Sequence, residues 1–195
     1  MQFLEDHAWP ATLLTLIESI CNRPMPFSSH YHGSYLMLLY YCFREPNFMF
    51  LVAPQPIPQD SRIHDATNFN ICLGLPRNSN DLVCLVEVKD DHWNLSADLS
   101  YLADQQMRNR YSKMREACPL PRLWGISLLG TKMCIYCGDT VTNMVDPLVS
   151  PLLEPSAGPT SDFLAGEWNL DILSQDRFQM IKEIIGNIYT HSQAT

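Results

Sequence analysis

Leu82-Val83-Cys84-Leu85-Val86-Glu87-Val88-Lys89-Asp90-Asp91 is an unbroken apolar run that passes directly into charge. Consecutive apolar residues of this kind make a strand buried on both faces, and here the charged residues fall at its carboxyl end. Side chains alternate along a strand, which puts Glu87 and Lys89 on one face and Val88 on the other. Ionised groups at the end of a buried strand are costly unless paired, hydrogen-bonded or bound to metal. The pattern therefore calls for a partner.

On the amino-terminal side, residues 68–75 form another apolar stretch. Pro76-Arg77-Asn78-Ser79-Asn80, between the two, is dense in turn formers, which predicts an antiparallel hairpin. That hairpin brings Asp65 and Asn68 beside the carboxyl end of the second strand. Further upstream, residues 53–60 hold three prolines and read as a loop, preceded by a short strand at 48–52. Helices are expected over 9–21, with Leu13, Leu14, Ile17 and Ile20 at helical spacing, and over 35–43, through Leu36, Leu39 and Tyr40. On the carboxyl side, residues 99–117 lack Gly and Pro and read as a helix carrying Leu99, Leu102, Met107 and Met114, capped by Ser96 or Asp98. Two strands, 123–129 and 132–137, flank Gly130-Thr131. Residues 139–166 are rich in Pro, Ser and Gly and read as an irregular passage. A helix over 174–189 closes the chain, with Phe178, Ile181, Ile184, Ile185 and Ile188 at a 3.6-residue period.

Composition bounds the function. At 195 residues, 46% hydrophobic and 17% charged, the chain reads as a single domain over 1–195. Its core is expected at about 48–137, with helices in 1–47 and an irregular segment and helix in 138–195. The formal net charge of -8 argues against a surface that binds nucleic acid everywhere, so any such contact must be a local basic patch. Glu5 and Asp6 stand where a secretory leader carries basic residues, and no apolar run approaches the roughly 20 residues that span a bilayer. An intracellular protein, cytoplasmic or nuclear and without a membrane partner, is expected. Seven cysteines scattered through apolar segments read as small buried hydrophobes of a reducing compartment.

An acidic residue ahead of one strand, followed by Glu-x-Lys at the end of its hairpin partner, suits metal-assisted phosphodiester hydrolysis. Carboxylates hold Mg²⁺ or Mn²⁺ through hard oxygens, the carbonyl of Val88 can add another ligand, and a lysine can orient the attacking water. On this reading Glu87 is the central ligand, Lys89 the water-positioning group, and Asp65, or else Asp60, the first ligand. Glu87-Val88-Lys89, the strands and turn before it, the helix over 99–117 and the strand over 123–129 together resemble the PD-(D/E)XK nuclease superfamily, the restriction-endonuclease-like fold. The resemblance covers roughly 48–137. It implies an α/β fold with a mixed central sheet flanked by helices. The stretch from Leu102 through Gln106, Arg108, Arg110 and Tyr111 to Gly125-Ile126-Ser127 and Gly130-Thr131-Lys132 also looks like fungal proteins bearing such a domain.

One departure from the family pattern matters. The place of the first acidic residue, immediately before the apolar part of the strand, is most naturally filled by Thr67-Asn68-Phe69, and an asparagine binds metal far more weakly than a carboxylate. Either Asp65 reaches the site from three residues earlier, or the site is degenerate and the chain is a catalytically silent module that binds protein or nucleic acid. The alternative for Glu87 and Lys89 is a salt-bridged pair. Asp90 and Asp91 read as a turn rather than as ligands.

The helix over 99–117 carries the densest basic cluster: Arg108, Arg110, Lys113 and Arg115. Arg108, Tyr111 and Arg115 share a helical face where they could meet DNA or RNA phosphates and a base or ribose, with Gln105 and Gln106 one turn earlier. The plainer reading is a solvated face paired with Asp104 and Glu116. Cys134 and Cys137, three apart in a strand, point to opposite faces and make no zinc knuckle. His30 and His32 read as loop or capping residues, and His64 as a surface histidine beside Asp65. The Ile-rich last helix is a candidate homodimer contact.

Overall fold

A computed structural model describes residues 1–21, 31–55, 66–74, 81–148, 159 and 166–194. Four helices, α1 (Ala11–Cys21), α2 (His32–Phe43), α3 (Ala97–Met114) and α4 (Gln175–Ala194), surround one sheet. Its strands are β1 (Phe50–Gln55), β2 (Thr67–Leu73), β3 (Leu82–Lys89), β4 (Arg122–Leu129), β5 (Lys132–Asp139), β6 (Val145–Asp146) and β7 (Leu170–Asp171). The spatial order is β1-β2-β3-β4-β5-β6, with β7 also paired to β5. β3 and β4 run parallel, and every other pairing is antiparallel. A parallel pair needs a crossover, and α3 supplies it.

The sheet is a middle layer. Val86 and Val88 of β3, Phe69 and Ile71 of β2 and Ile126 and Leu128 of β4 turn one face toward α1, α2 and α4, where Tyr35, Leu39, Ile181, Ile185 and Ile188 pack. Leu85, Leu123, Leu129 and Tyr136 turn the other face toward α3, against Ala103, Met107 and Tyr111. With cover on both sides, all eight residues of β3 are buried, as its apolar run led us to expect.

The α/β class, the mixed sheet, the hairpin of β2 with β3 and that of β4 with β5 agree with the sequence reading. Several local features differ. β1 continues through Pro54 to Gln55, into the stretch read as loop, because β1 is the sheet edge and a strand there needs no donor on its open side. α3 buries Ala103, Asp104, Met107 and Tyr111, while Leu102 stays 38% exposed. Its inward stripe is thus partly polar: Met107 lies in it and Leu99 and Met114 pack beside it, as their spacing led us to expect, but Leu102 does not. Ser96 is its N-cap residue but makes no side-chain capping bond, and residues 115–117 form a tighter 3-10 turn after the helix ends. Two short strands, β6 and β7, fall in or just after the passage read as irregular. No described helix is long and apolar enough to cross a membrane.

Candidate functional site

Glu87 lies on the α3 side of the sheet. Its cross-strand neighbours are Asn68 on β2 and Ser127 on β4, so a polar row crosses three strands beneath the helix. Strand alternation brings Lys89 onto the same face, and its ammonium lies 2.6 Å from Glu87 Oε1. Both side chains are buried, Lys89 fully and Glu87 to within 2%. Lys89 Nζ also donates to Gln106 Oε1 on α3 and sits 4.2 Å from the centre of the buried Trp93 ring. The lysine thereby gains a carboxylate, an amide oxygen and an aromatic face in place of water.

One helical turn beyond Gln106, Arg110 reaches down to the same row. Nη1 donates to Asn68 Oδ1 at 2.9 Å and to the Val86 carbonyl at 3.1 Å. Nη2 donates to Asn70 Oδ1 at 3.0 Å and to the Phe69 carbonyl at 3.5 Å. Glu87 Oε2 stands 4.0 Å from Nη1. Burial pulls the Arg110 pKa below its usual value, and the neighbouring Glu87 charge opposes that shift. Glu87 Oε2 and Ser127 Oγ are themselves buried without a hydrogen-bond partner.

The other residues singled out in the sequence have different surroundings. Val88 faces the opposite core with α1, α2 and α4. Arg108 is held by Asp104 through Nε at 2.8 Å and donates through Nη2 to the Pro147 carbonyl at 2.7 Å. Asp104, fully buried, also accepts from the Tyr136 hydroxyl at 3.1 Å. Tyr111 is a core residue, 2% exposed, its hydroxyl 2.9 Å from the Leu123 carbonyl and 3.1 Å from that of Tyr136. Burial and nearby thiols push its phenol well above the usual range. Arg108, Tyr111 and Arg115 thus form no common open face: Arg115 lies past the end of α3, in the 3-10 turn. Asp90 caps the turn Asp91–Leu95 by accepting from the His92 N–H at 3.1 Å, and Asp91 accepts from the Tyr31 hydroxyl at 2.8 Å. His32 opens α2 and lies against the Phe69 ring. Asp60, His64 and Asp65 lie outside the described residues, as do His30 and the turn at 76–80.

No family model, curated protein or solved structure matches the chain.

The residues that sequence reasoning did not bring to the site are Arg110, Asn70 and Ser127. A signal existed: Gln106 and Arg110 are four apart on α3, and Asn68 and Asn70 two apart on β2, so each pair shares a face. Among the described residues no three His, Cys, Asp or Glu side chains stand where they could hold a metal ion together. Around Glu87 the donor set is carboxylate, amide and carbonyl oxygen, the chemistry of a Mg²⁺ or Mn²⁺ site. The space among those oxygens, however, is taken by the Arg110 guanidinium, and a second positive charge, Lys89, is already in contact with Glu87. A divalent ion added to this arrangement would meet two cations balanced by one carboxylate, so the described residues fit a closed ion network better than a metal centre.

Proposed function

We propose that the chain is a PD-(D/E)XK-like domain whose Glu-x-Lys site no longer cuts nucleic acid and which serves as an interaction module. The observation that carries this reading is the cross-strand pair of Asn68 with Glu87: an amide stands where a second carboxylate would complete a metal site. The order α2, β1, β2, β3, α3, β4, with β3 and β4 parallel, supports the family resemblance. Fold alone does not carry activity, so the site decides between the readings. The net charge of -8 and the internal engagement of Arg108 and Arg110 favour a protein partner over DNA or RNA.

A second reading, a Mg²⁺- or Mn²⁺-dependent nuclease, is favoured by one observation. Glu87 Oε2 is a buried carboxylate oxygen with no hydrogen-bond partner, and Lys89 and Gln106 converge beside it. In that case Asp65 would supply the missing carboxylate. The test is incubation of the purified chain with single- and double-stranded DNA and with RNA, in Mg²⁺ or Mn²⁺. No cleavage is expected. Metal-dependent cleavage that disappears in a folded Glu87→Gln variant would replace the first reading by the second.

A further inference from the structure

We infer that Arg110 is the permanent cation of this site, its guanidinium holding the place and the charge that a divalent ion would hold in an active relative of the same design. The inference rests on the non-catalytic reading above and goes beyond it, because it assigns the site a resident positive group and a consequence for cation binding.

The guanidinium sits among oxygens. Every atom within hydrogen-bonding distance of its Nη1 and Nη2 groups in the contacts described is oxygen: Asn68 Oδ1, Asn70 Oδ1 and the carbonyls of Phe69 and Val86, between 2.9 and 3.5 Å. Glu87 Oε2 is next, at 4.0 Å. These oxygens come from two adjacent strands, on the face that also carries Glu87. A neutral oxygen cage beside one carboxylate is a cation site by its chemistry, suited to a hard metal ion or to a forked donor. Arginine fits the second role because its donors lie in one plane in a rigid fork. Lysine could supply the charge as a point, but with fewer bonds.

Charge explains why such a group is needed. Asn68, Asn70 and the two carbonyls turn their negative dipole ends into one space that water reaches poorly, since Arg110 is only 17% exposed. Asn68 adds no formal charge where an aspartate would. A monovalent guanidinium, covalently supplied by α3, therefore balances the cage better than a divalent ion drawn from solution. A side chain that only tied α3 to the sheet would need hydrogen bonds, but it would not leave a vacancy selective for a cation when shortened.

The test is thermal unfolding of the full chain in EDTA and in 5 mM MnCl₂, with four proteins: wild type, Arg110→Lys, Arg110→Gln, and Arg110→Gln combined with Glu87→Gln. Wild type and Arg110→Lys should unfold at the same temperature in both buffers. Arg110→Gln should be lowered in EDTA and regain at least about 5 °C in MnCl₂, a gain the Glu87→Gln combination removes. Should Arg110→Gln fail to fold in EDTA, recovery of its folded signal in MnCl₂ becomes the readout. An Arg110→Gln protein that keeps the wild-type midpoint, or that is lowered and does not respond to Mn²⁺ in either measurement, overturns the inference. So does a wild-type midpoint that rises in MnCl₂. None of these readouts involves cleavage, so their failure is distinct from the failure of the non-catalytic reading, which only a nuclease assay reveals.

Discussion

Replacing Glu87 by alanine would leave the Lys89 ammonium buried with its carboxylate gone, and the Arg110 guanidinium without the nearest negative charge. Breaking a buried pair from one side costs about 3–5 kcal/mol, and that loss is expected in urea unfolding of Glu87→Ala. Glu87→Gln, which keeps an oxygen facing Lys89, should lose clearly less; equal losses would mean that shape rather than charge holds the residue. The thiols give an independent residue-scale check. Burial pushes Cys84 and Cys134 up to about 12, and Cys42 well above its ordinary value. Burial also pushes Cys118 up to about 11, so iodoacetamide at pH 8 is expected to modify the half-buried Cys21 and Cys137 in the native protein, and Cys42, Cys84, Cys118 and Cys134 only after denaturation, as read by peptide mass spectrometry. At this scale the sequence was informative where one chemical rule sufficed. Strand alternation paired Glu87 with Lys89, but the four-residue spacing of Gln106 and Arg110 did not alone set Arg110 apart from Arg108 or Lys113, because which cation turns inward depends on how α3 is rolled against the sheet.

The roll of α3 is fixed by Tyr111. Its ring lies over Gly125 on β4 and Gly138 on β5, where an added Cβ would come within 2.7 Å of the Tyr111 hydroxyl and 2.5 Å of its ring, respectively. Two glycines on neighbouring strands thus leave a floor for one aromatic side chain. Gly138→Ala is expected to destabilise by about 1–3 kcal/mol through overpacking, measured by urea unfolding. Combining it with Tyr111→Leu should recover part of the loss; a fully additive double variant would separate the glycine from the ring. Apolar periodicity located α3, its approximate length and the inward Met107, but only part of this stripe, because Asp104 and Tyr111 belong to the inward face while Leu102 does not. The strand at Pro54 is hidden in the sequence for a related reason: proline excludes a residue from a central strand, and only the assembled sheet shows that β1 is an edge. β3, by contrast, was legible nearly residue by residue, since burial on both faces leaves a continuous apolar run.

Across the whole molecule, the layer of α1, α2 and α4 is joined by contacts between distant parts of the chain. Ile185 of α4, 1% exposed, packs in the core shared with α2 and β4. Ile185→Ala is expected to cost about 2–5 kcal/mol in urea unfolding, a large fraction of the stability of a domain this size. The sequence supplied the helices and most strands, but not this closure, which depends on pairings no local pattern encodes. Phe3 and Trp9 meet the Phe178 ring at 5.4 and 5.0 Å, and the Trp9 indole donates to the Ile172 carbonyl at 2.9 Å. During synthesis the amino-terminal aromatics must wait for the last helix to emerge, roughly 10–35 s at ordinary elongation rates. For that interval Phe3 and Trp9 lack the ring that covers them in the folded protein, so this layer can close only once residues 172–178 have been made.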